Sequence, residues 1–497
     1  MSFLSYSFLL LLPIATVIHR LLPSVRMKNL FLLIVSVAFY GSNGIGCIIV
    51  FLLSAGITYT GGLLMAKTTG RKRKTVFAVF LILNLSILLI IKYTEFLIDS
   101  ANQLLGLIHA GPLPVPRILQ PIGLSFIIFQ SSTYLFDLKS GKTTAERNLI
   151  RYTLFVSFFP TLVCGPIQRA ALFLPQLKNR KAPAFKEVQS AVVLFMWGYF
   201  LKRVIADRIA ICTDLVFDDY LQYDGAILFG SMLMYNLQIY LDFAGYSCMA
   251  IGTAALFGFR IKDNFSQPYF AGKITDFWRR WHISLTSWFT DYVYIPLGGN
   301  RKGALKRYIN ILVVFLISGL WHGAGWNFLI WGMLHAIYQV VGYLTAPSRE
   351  KILKKCGIDP QSMAHRLFQR VIIFFLVSGA WVFFRSSTVV QAVAYLRGTF
   401  FNLHAGVLFD GSLFRIGLKL ADWNVLVVCF VTVLAVSGIL EREKRKNPEN
   451  PCAALSVLNQ QSILSKTVFI LLLFTAILIF GIYGEGYLPG SFIYAGF

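Results

Sequence analysis

The chain has 497 residues, of which 56% are apolar and only 14% are charged. Soluble proteins carry roughly 25% charged residues, so this chain has too few of them to cover a water-facing surface, and its mean hydropathy is +0.66. The composition excludes a cytosolic enzyme, a disulfide-stapled secreted scaffold and a disordered chain. It predicts an all-α, polytopic integral membrane protein whose solvent is the lipid bilayer.

Basic residues outnumber acidic ones by 46 to 22, which gives a formal net charge of +24. In a soluble protein this excess would indicate nucleic acid, but here the basic residues lie in short tracts between apolar runs and no soluble module remains to bind it. Basic loops face the cytoplasm by the positive-inside rule. Arg71–Lys74, Lys139–Arg151 and Arg442–Lys446 are therefore assigned to the cytoplasm, which places the N-terminus and the C-terminal Gly484–Phe497 outside.

Uncharged apolar runs follow one another along the chain, and a helix needs about 20 such residues to cross the hydrocarbon. Asn29–Ala66 is long enough for two crossings with Gly41–Gly44 as the turn, and Ile309–Ser348 is of the same kind. Val188–Leu201 and Val371–Phe384 are short for a full crossing and are expected to lie tilted or to re-enter. The other runs are Ser2–Ile18, Thr75–Ile91, Ile118–Phe136, Tyr152–Gln168, Trp423–Leu440 and Thr467–Gly484. We expect about ten to thirteen crossings in all.

One acidic residue stands alone in a long uncharged stretch. Asp242 is the only Asp, Glu, Lys or Arg between Gly225 and Phe259. A charge in lipid is costly unless it is paired, so Asp242 is expected to meet a buried cation or donor. It either orients an active residue or pins two helices together.

The segment Ile274–Gly299 shows the 3.6-residue period of an amphipathic helix, with an aromatic and a polar side. His282 lies at the boundary between the two sides. Arg279 and Arg280 have the chemistry to hold a phosphate or an anionic headgroup, although a purely interfacial anchor explains the same pattern. The aromatic side comprises Phe277, Trp278, Trp281, Leu285, Trp288, Phe289 and Tyr292, and the polar side comprises Arg279, Arg280, Ser284, Ser287 and Asp291.

A histidine lies in the middle of the uncharged run Ile309–Ser348. His322 is followed by Gly323 and Gly325, and this glycine content predicts a broken helix, which at membrane depth is tolerated only beside a cavity. A neutral imidazole there can take a proton from a hydroxyl, or it can simply bond to a neighbouring helix. His335 could share the site only if the helix is broken between the two histidines. No HxxxH, HExxH or clustered acidic pattern indicates a metal.

Several motifs together resemble the membrane-bound O-acyltransferase family, in particular its bacterial polysaccharide O-acetylation branch, which includes alginate and peptidoglycan O-acetylation proteins. The resemblance extends over nearly the full length and is most specific around His282 and His322. The motifs are Ser157–Pro160 with Gly165–Ile167, Lys202–Asp207, Leu241–Ser247, Asp276–His282, Tyr294–Arg301, Leu320–Gly323, Trp381–Arg385 and Phe492–Tyr494.

The resemblance implies a ring of helices with a central funnel in a single membrane domain over residues 1–497. It places an acyltransferase core over 118–345 and C-terminal spans over 370–497. The family's essential histidine falls on His322, and its second active-site position falls on His282. Supporting roles are assigned to Asp242, Trp278, Arg279, Arg280, Trp281, Trp321 and Asn327.

The resemblance also implies acetyl-CoA as a cytoplasmic donor substrate, with no tightly bound cofactor. Arg301, Lys302, Lys306 and Arg307 are candidates, by charge alone, to attract its diphosphate. His322 would act as general base, although an acyl-histidine intermediate is equally compatible. The acceptor would be an extracytoplasmic polysaccharide, reached through a membrane-anchored, esterase-like partner at the bacterial inner membrane.

Two other functions remain open. D-alanyl transfer to teichoic acids is compatible with Asp242–Ser247, but that branch generally lacks the extra C-terminal spans and the Pro296–Arg301 block. A non-enzymatic polysaccharide or ion transporter would show paired broken helices, and the sequence has one convincing break, at His322.

Overall fold

The computed structural model describes residues 1–408, 410–483 and 492–493. Secondary structure in these ranges is helical throughout. Of the predicted outward-facing end Gly484–Phe497 only residues 492–493 are described, so Tyr494 of the closing motif Phe492–Tyr494 lies outside the described residues. The chain forms two compact units, one from Met1–Phe195 and Tyr246–Ile261 with residues 492–493, the other from Met196–Gly245 and residues 262–408 and 410–483.

The α-helices are numbered in chain order. They are α1 Tyr6–Leu21, α2 Val25–Gly41, α3 Ile45–Ala66, α4 Gly70–Leu107, α5 Leu124–Lys139, α6 Leu149–Ser157, α7 Phe159–Leu162, α8 Ala170–Lys178, α9 Phe185–Phe200, α10 Asp207–Asp218, α11 Gly225–Leu256, α12 Ile274–Arg280, α13 Ile283–Phe289, α14 Gly303–His322, α15 Trp326–Leu344, α16 Ala346–Lys355, α17 Met363–Arg385, α18 Val389–Phe401, α19 Leu420–Lys446, α20 Ala453–Gln460 and α21 Ile463–Phe480. Leu201–Ala206 and Thr290–Tyr294 are π-helical.

Eight of the described helices are long and apolar enough to cross a membrane, or nine if the bent pair α15 and α16 forms one span. The predicted turn Gly41–Gly44 is confirmed, since α2 ends at Gly41 and α3 begins at Ile45. Shorter apolar helices such as α1 are not counted among these eight, although the sequence estimate of ten to thirteen crossings included that run.

The expectation that Val188–Leu201 and Val371–Phe384 are too short to cross is wrong. The first lies in a helical segment of 34 residues and the second in α17, which has 23. The first run looks short because Lys202, Arg203 and Asp207 end the uncharged stretch. These charges stay inside the helix because they are paired, with Lys202 Nζ 2.9 Å and Arg203 Nη1 3.3 Å from the Asp207 carboxylate.

Polar side chains join three helices of the first unit. The Asn84 side chain on α4 accepts from Ser54 of α3 and donates to Ser131 of α5, at 2.8 and 3.0 Å. In lipid such interhelical hydrogen bonds replace the hydrophobic force that would drive packing in water. The three helices therefore associate through a buried amide rather than through apolar contacts alone.

Helices α14 and α15 of the second unit pack with their backbones in contact. A Cβ at Gly319 would meet the carbonyl oxygen of Phe328, and a Cβ at Gly332 would meet that of Phe315. These reciprocal contacts show that the two helices run antiparallel. Small residues permit such close approach between membrane helices, so this helix pair holds His322 at the end of α14 on a closely packed support.

Candidate active site

His282 lies at a break between two short helices. The prediction of one amphipathic helix over Ile274–Gly299 is wrong, because α12 ends at Arg280 and α13 begins at Ile283. His282 itself has φ 43° and ψ 53°, in the left-handed region. A non-glycine residue there costs of order 1–3 kcal/mol and is typical of functional sites.

Asn264 stabilises this break. Its backbone carbonyl accepts from Ile283 N at 2.9 Å, and its side-chain oxygen accepts from Ser284 N and Oγ at 3.2 and 2.9 Å. The same oxygen lies 3.2 Å from His282 Nδ1. Because a carboxamide oxygen only accepts, His282 Nδ1 carries the proton and Nε2 is the nitrogen with the lone pair. Burial lowers the pKa of His282 to about 3, so the ring is neutral.

The two predicted active-site histidines come together around one indole. The His282 ring centroid is 6.0 Å from that of Trp321, and the His322 ring centroid is 4.9 Å from it. Both histidines are only 1% exposed. His322 also packs edge-on against Trp331 and Phe384, at 5.0 and 5.3 Å. Two segments separated by 40 residues of sequence therefore meet in one buried aromatic site.

The predicted helix break at His322 is confirmed. Helix α14 ends at His322 and α15 begins at Trp326, with Gly323 and Gly325 in extended conformations between them. Glycine is required at position 323 because a Cβ there would clash with the ring of Phe328. His335 contacts Trp331, one turn earlier on α15, at 5.0 Å between ring centroids, and Trp331 in turn contacts His322.

Most of the predicted aromatic side is packed inside the second unit. Trp281 is 1% exposed and lies 5.1 Å from Trp381 and 5.5 Å from Phe277 between ring centroids. Trp278 donates from Nε1 to His335 Nδ1 at 3.3 Å. Protein atoms rather than an interface surround these rings, so an interfacial anchor does not describe them.

The structure separates the predicted arginine pair. Arg280 forms ion pairs with Asp276 at 3.0 Å and with Glu441 at 2.8 Å, so it joins α12 to α19. Arg279 is exposed and lines a cavity. Of the two, Arg279 is therefore placed to meet an anion, while Arg280 is already neutralised by carboxylates.

Two supporting residues connect helices of the second unit. Asp242 on α11 meets the buried cation expected for it, since Lys202 Nζ is 2.5 Å from its carboxylate. Asn327 donates from Nδ2 to the carbonyl oxygens of Phe383 and Ser386, at 3.3 and 2.9 Å, and so joins the start of α15 to the end of α17. These contacts hold helices together.

A cavity of about 310 Å³ lies beside the aromatic site within the second unit. Its lining includes Trp278 and also Ser318, which precedes His322 by one turn of α14. The apolar lining comprises Trp278, Leu285, Phe289, Ile311, Val314 and Phe315, and the polar lining comprises Thr275, Arg279, Thr286, Thr290, Tyr294, Asn300, Ser318, Gln339 and Tyr343.

Of the four basic residues predicted to attract the donor, Arg307 is the one in contact with the cavity lining. Its guanidinium carbon lies 4.4 Å from the ring centroid of Tyr343, which lines the cavity. Arg301 and Lys302 are exposed and Lys306 is half-buried, and none of these three is a lining residue.

The sequence analysis assigned no role to Asn264 or Trp331, and it named Trp381 and Phe384 only as members of the motif Trp381–Arg385. Asn264 lies in a loop with no periodic pattern, and its role depends on the fold of the chain around it. Trp331 cannot be distinguished by sequence pattern from an ordinary core aromatic in an apolar run. No group of three His, Cys, Asp or Glu side chains within the described ranges could hold a metal ion.

A helical protein with several membrane spans and buried histidines beside a partly polar cavity has the groups that a membrane-embedded acyltransferase needs, because imidazoles can move the proton of an attacking hydroxyl. The family model of the membrane-bound O-acyltransferases (MBOAT) matches residues 63–353, more than half of the chain. The chain belongs to this family and is an acyltransferase.

Curated relatives agree with this assignment. The probable alginate O-acetylase AlgI of Pseudomonas putida is 36% identical over 80% of this chain and 76% of its own length. The peptidoglycan O-acetyltransferase of Helicobacter pylori is 33% identical over 74% of this chain and 73% of its own. The teichoic acid D-alanyltransferase of Bacillus subtilis is 29% identical over 45% of this chain and 59% of its own.

Proposed function

We propose that the chain transfers acetyl groups from acetyl-CoA toward hydroxyl groups of an extracytoplasmic polysaccharide. The observation that carries this proposal is the meeting of His282 and His322 on Trp321 beside a cavity lined by Arg279. The names of the alginate and peptidoglycan relatives, which align over about three quarters of the chain or more, support acetyl transfer to a polysaccharide.

The size of the cavity suits the reactive end of the donor. A volume of about 310 Å³ is at the lower end of small-molecule sites, so it accommodates the acetyl thioester and part of the pantetheine arm but not the nucleotide. The nucleotide would stay at the mouth, where Arg279 is exposed and Arg307 packs on Tyr343. A guanidinium suits the diphosphate because it forms paired hydrogen bonds to its oxygens.

The proposed reaction needs one proton acceptor and one thiol leaving group. His322 takes the proton of the acceptor hydroxyl as that oxygen attacks the thioester carbonyl, and the C–S bond then breaks to release CoA as the thiol. General-base catalysis of this kind contributes about 10² to 10⁴ in rate. His282, whose Nδ1 is held by Asn264, either orients the thioester or passes a proton to the sulfur of the leaving thiol.

We assign the donor side of this reaction to the cytoplasm and the acceptor side to the outside of a bacterial inner membrane. The basic tracts Arg71–Lys74 and Arg442–Lys446 support this orientation. The described connections between helices are short loops without room for a second catalytic domain, so a membrane-anchored, esterase-like O-acetyltransferase would complete the transfer to the polysaccharide.

Mild alkaline hydrolysis of envelope polysaccharide tests the proposal, with acetate and D-alanine assayed on the same hydrolysate. Cells would carry wild-type chain, His322→Ala or the control His404→Ala at matched expression. His404 is an exposed histidine paired with Asp224, and it is absent from the site residues above. We expect ester-linked acetate to disappear with His322→Ala alone.

Other outcomes would redirect the assignment. Loss of D-alanine in place of acetate would move the chain to the teichoic-acid branch, whose Bacillus relative is 29% identical. No change in either ester would remove His322 from the chemistry and favour a transporter. Acid quenching during turnover of acetyl-CoA labelled in its acetyl group separates the two mechanisms, because only an acyl-histidine would leave label on the protein.

A further inference from the structure

Three buried N–H groups lie together next to His322. Trp331 Nε1, Trp381 Nε1 and His335 Nε2 have no hydrogen-bond partner among the described residues, and all three side chains are 0% exposed. Their rings are in mutual contact, with centroids 5.0 Å apart for Trp331 and His335 and 5.6 Å apart for Trp331 and Trp381.

The tautomer of His335 follows from its neighbour. Trp278 Nε1 can only donate, and it donates to His335 Nδ1 at 3.3 Å. Nδ1 therefore has the lone pair, and in a neutral ring the proton is on Nε2. All three atoms are hydrogen-bond donors, and none is an acceptor that could serve the other two.

Burying these three donors without acceptors has a cost in free energy. A buried donor without an acceptor costs about 1–3 kcal/mol, and native proteins leave few of them. Three in one contact cluster are tolerated where an acceptor is supplied from outside the protein. The matching ligand group is an oxygen with several lone pairs, such as a carbonyl or an oxyanion.

The position of the cluster next to His322 indicates which ligand group it binds. Trp331 contacts the His322 ring edge-on at 5.0 Å between centroids. In acyl transfer the carbonyl oxygen becomes negatively charged within a bond length of the carbon that the hydroxyl attacks, and His322 must contact that hydroxyl. Trp331 also lies 5.7 Å, between ring centroids, from Trp278, which lines the cavity. Its ring therefore lies between His322 and the cavity lining, which is where the oxyanion would develop.

We propose that Trp331, with Trp381 and His335, donates hydrogen bonds to the oxyanion that the acyl carbonyl becomes in the tetrahedral intermediate. This inference rests on the proposed acyl transfer at His322. As the hydroxyl oxygen attacks, the carbonyl π electrons move onto oxygen and the indole N–H groups donate to it. When the C–S bond breaks, the electrons on the oxyanion re-form the carbonyl, and the leaving sulfur takes up the proton that His322 accepted, so that CoA departs as the thiol.

The test removes one N–H without changing the shape of the ring. Trp331 is replaced by 3-benzothienylalanine, whose sulfur takes the place of the indole N–H, and the same replacement is made at Trp381. Trp423 on α19 is the matched control, because its Nε1 also lacks a partner among the described residues and it is remote in sequence from the site. Inverted membrane vesicles bearing the full chain and its endogenous acceptor are assayed for CoA thiol release from acetyl-CoA.

We expect the Trp331 replacement to lower kcat by about 10² to 10³, the usual effect of losing one oxyanion donor, with the KM for acetyl-CoA unchanged. The control at Trp423 should retain the wild-type kcat. A Trp331 variant that keeps the wild-type kcat would overturn the inference, as would an equal loss at Trp423. Absence of any difference between wild type and His322→Ala would instead overturn the proposed function itself.

Discussion

The backbone of His282 is the most informative single conformation in this molecule. Its left-handed φ of 43° turns the chain sharply between α12 and α13, and the Asn264 side chain secures both the new helix and the imidazole. The strain is offset by hydrogen bonds that His282 and the start of α13 donate to Asn264, which lies 18 positions before His282 in the chain. One consequence is a histidine of fixed tautomer in a dry environment.

A pH profile tests the charge state of His282. Burial lowers its pKa to about 3, so the ring is neutral throughout pH 5–8 and becomes charged only as the pH falls toward that value. We expect His282→Asn to lower the rate of CoA release by a constant factor over pH 5–8 without changing the shape of the profile. Loss of an inflection near pH 6–7 in the variant would show that His282 titrates in the working range.

At the scale of elements, the pair α14 and α15 determines where His322 lies. Gly323 and Gly325 predicted the helix break at His322. Two other glycines of this helix pair, Gly319 and Gly332, let the two backbones touch. A Cβ at either position would press against a backbone carbonyl oxygen of the opposite helix. That oxygen cannot move unless the whole helix is displaced.

Substitution at Gly332 measures this packing. We expect Gly332→Ala to destabilise the protein by about 1–3 kcal/mol through overpacking and to lower acetyl transfer by displacing His322. Gly342→Ala on the same helix is the control, because no heavy atom lies within 4 Å of its Cβ position. The yield of monodisperse protein and its thermal midpoint are the measurements, and equal behaviour of the two variants would contradict the packing argument.

The pairing of Asp242 with Lys202 can be tested in the same way. Without Asp242, Lys202 and Arg203 would share the single carboxylate of Asp207, which leaves one buried positive charge uncompensated. Asp242→Asn should therefore cost about 3–5 kcal/mol of stability. The double variant Lys202→Met with Asp242→Leu should be less destabilised than the single one, because Asp207 still pairs with Arg203. A double variant at least as unstable as the single one would assign these residues a role beyond mutual neutralisation.

Sequence patterns identified the apolar helices, the turn at Gly41–Gly44, the break at His322 and the need of Asp242 for a cation. They failed at Ile274–Gly299, because the periodicity of side chains along a helix gives no sign of a backbone hydrogen bond that Ser284 donates to the distant Asn264. They also underestimated the helical segments around Val188–Leu201 and Val371–Phe384. In the hydropathy pattern of a sequence, a charged pair buried inside a helix cannot be distinguished from the end of that helix.

At the scale of the whole molecule, the distribution of the basic residues predicts the orientation of the protein in the membrane. The proposed orientation assigns the tract Lys351–Lys355 and the exposed Cys356 that follows it to the cytoplasm. Five of the other six cysteines are buried and Cys248 is half-buried. The chain therefore contains its own reporter of orientation.

We expect a membrane-impermeant maleimide to label the protein in inverted vesicles but not in intact spheroplasts, and Cys356→Ser to abolish the signal. Introducing His404→Cys in the Cys356→Ser background should produce the opposite pattern, because residue 404 is exposed and follows α18 on the side assigned to the outside. Labelling of Cys356 in spheroplasts would reverse the assigned orientation.

The close contact between the backbones of α14 and α15 also limits which substitutions the protein can accept. A saturation library scored for polysaccharide acetylation would rank positions 319 and 332 as intolerant as position 322, although neither glycine takes part in chemistry. An engineer seeking new acyl donors should therefore leave that helix pair unchanged and diversify the cavity lining, where residues such as Thr286 and Gln339 face open space.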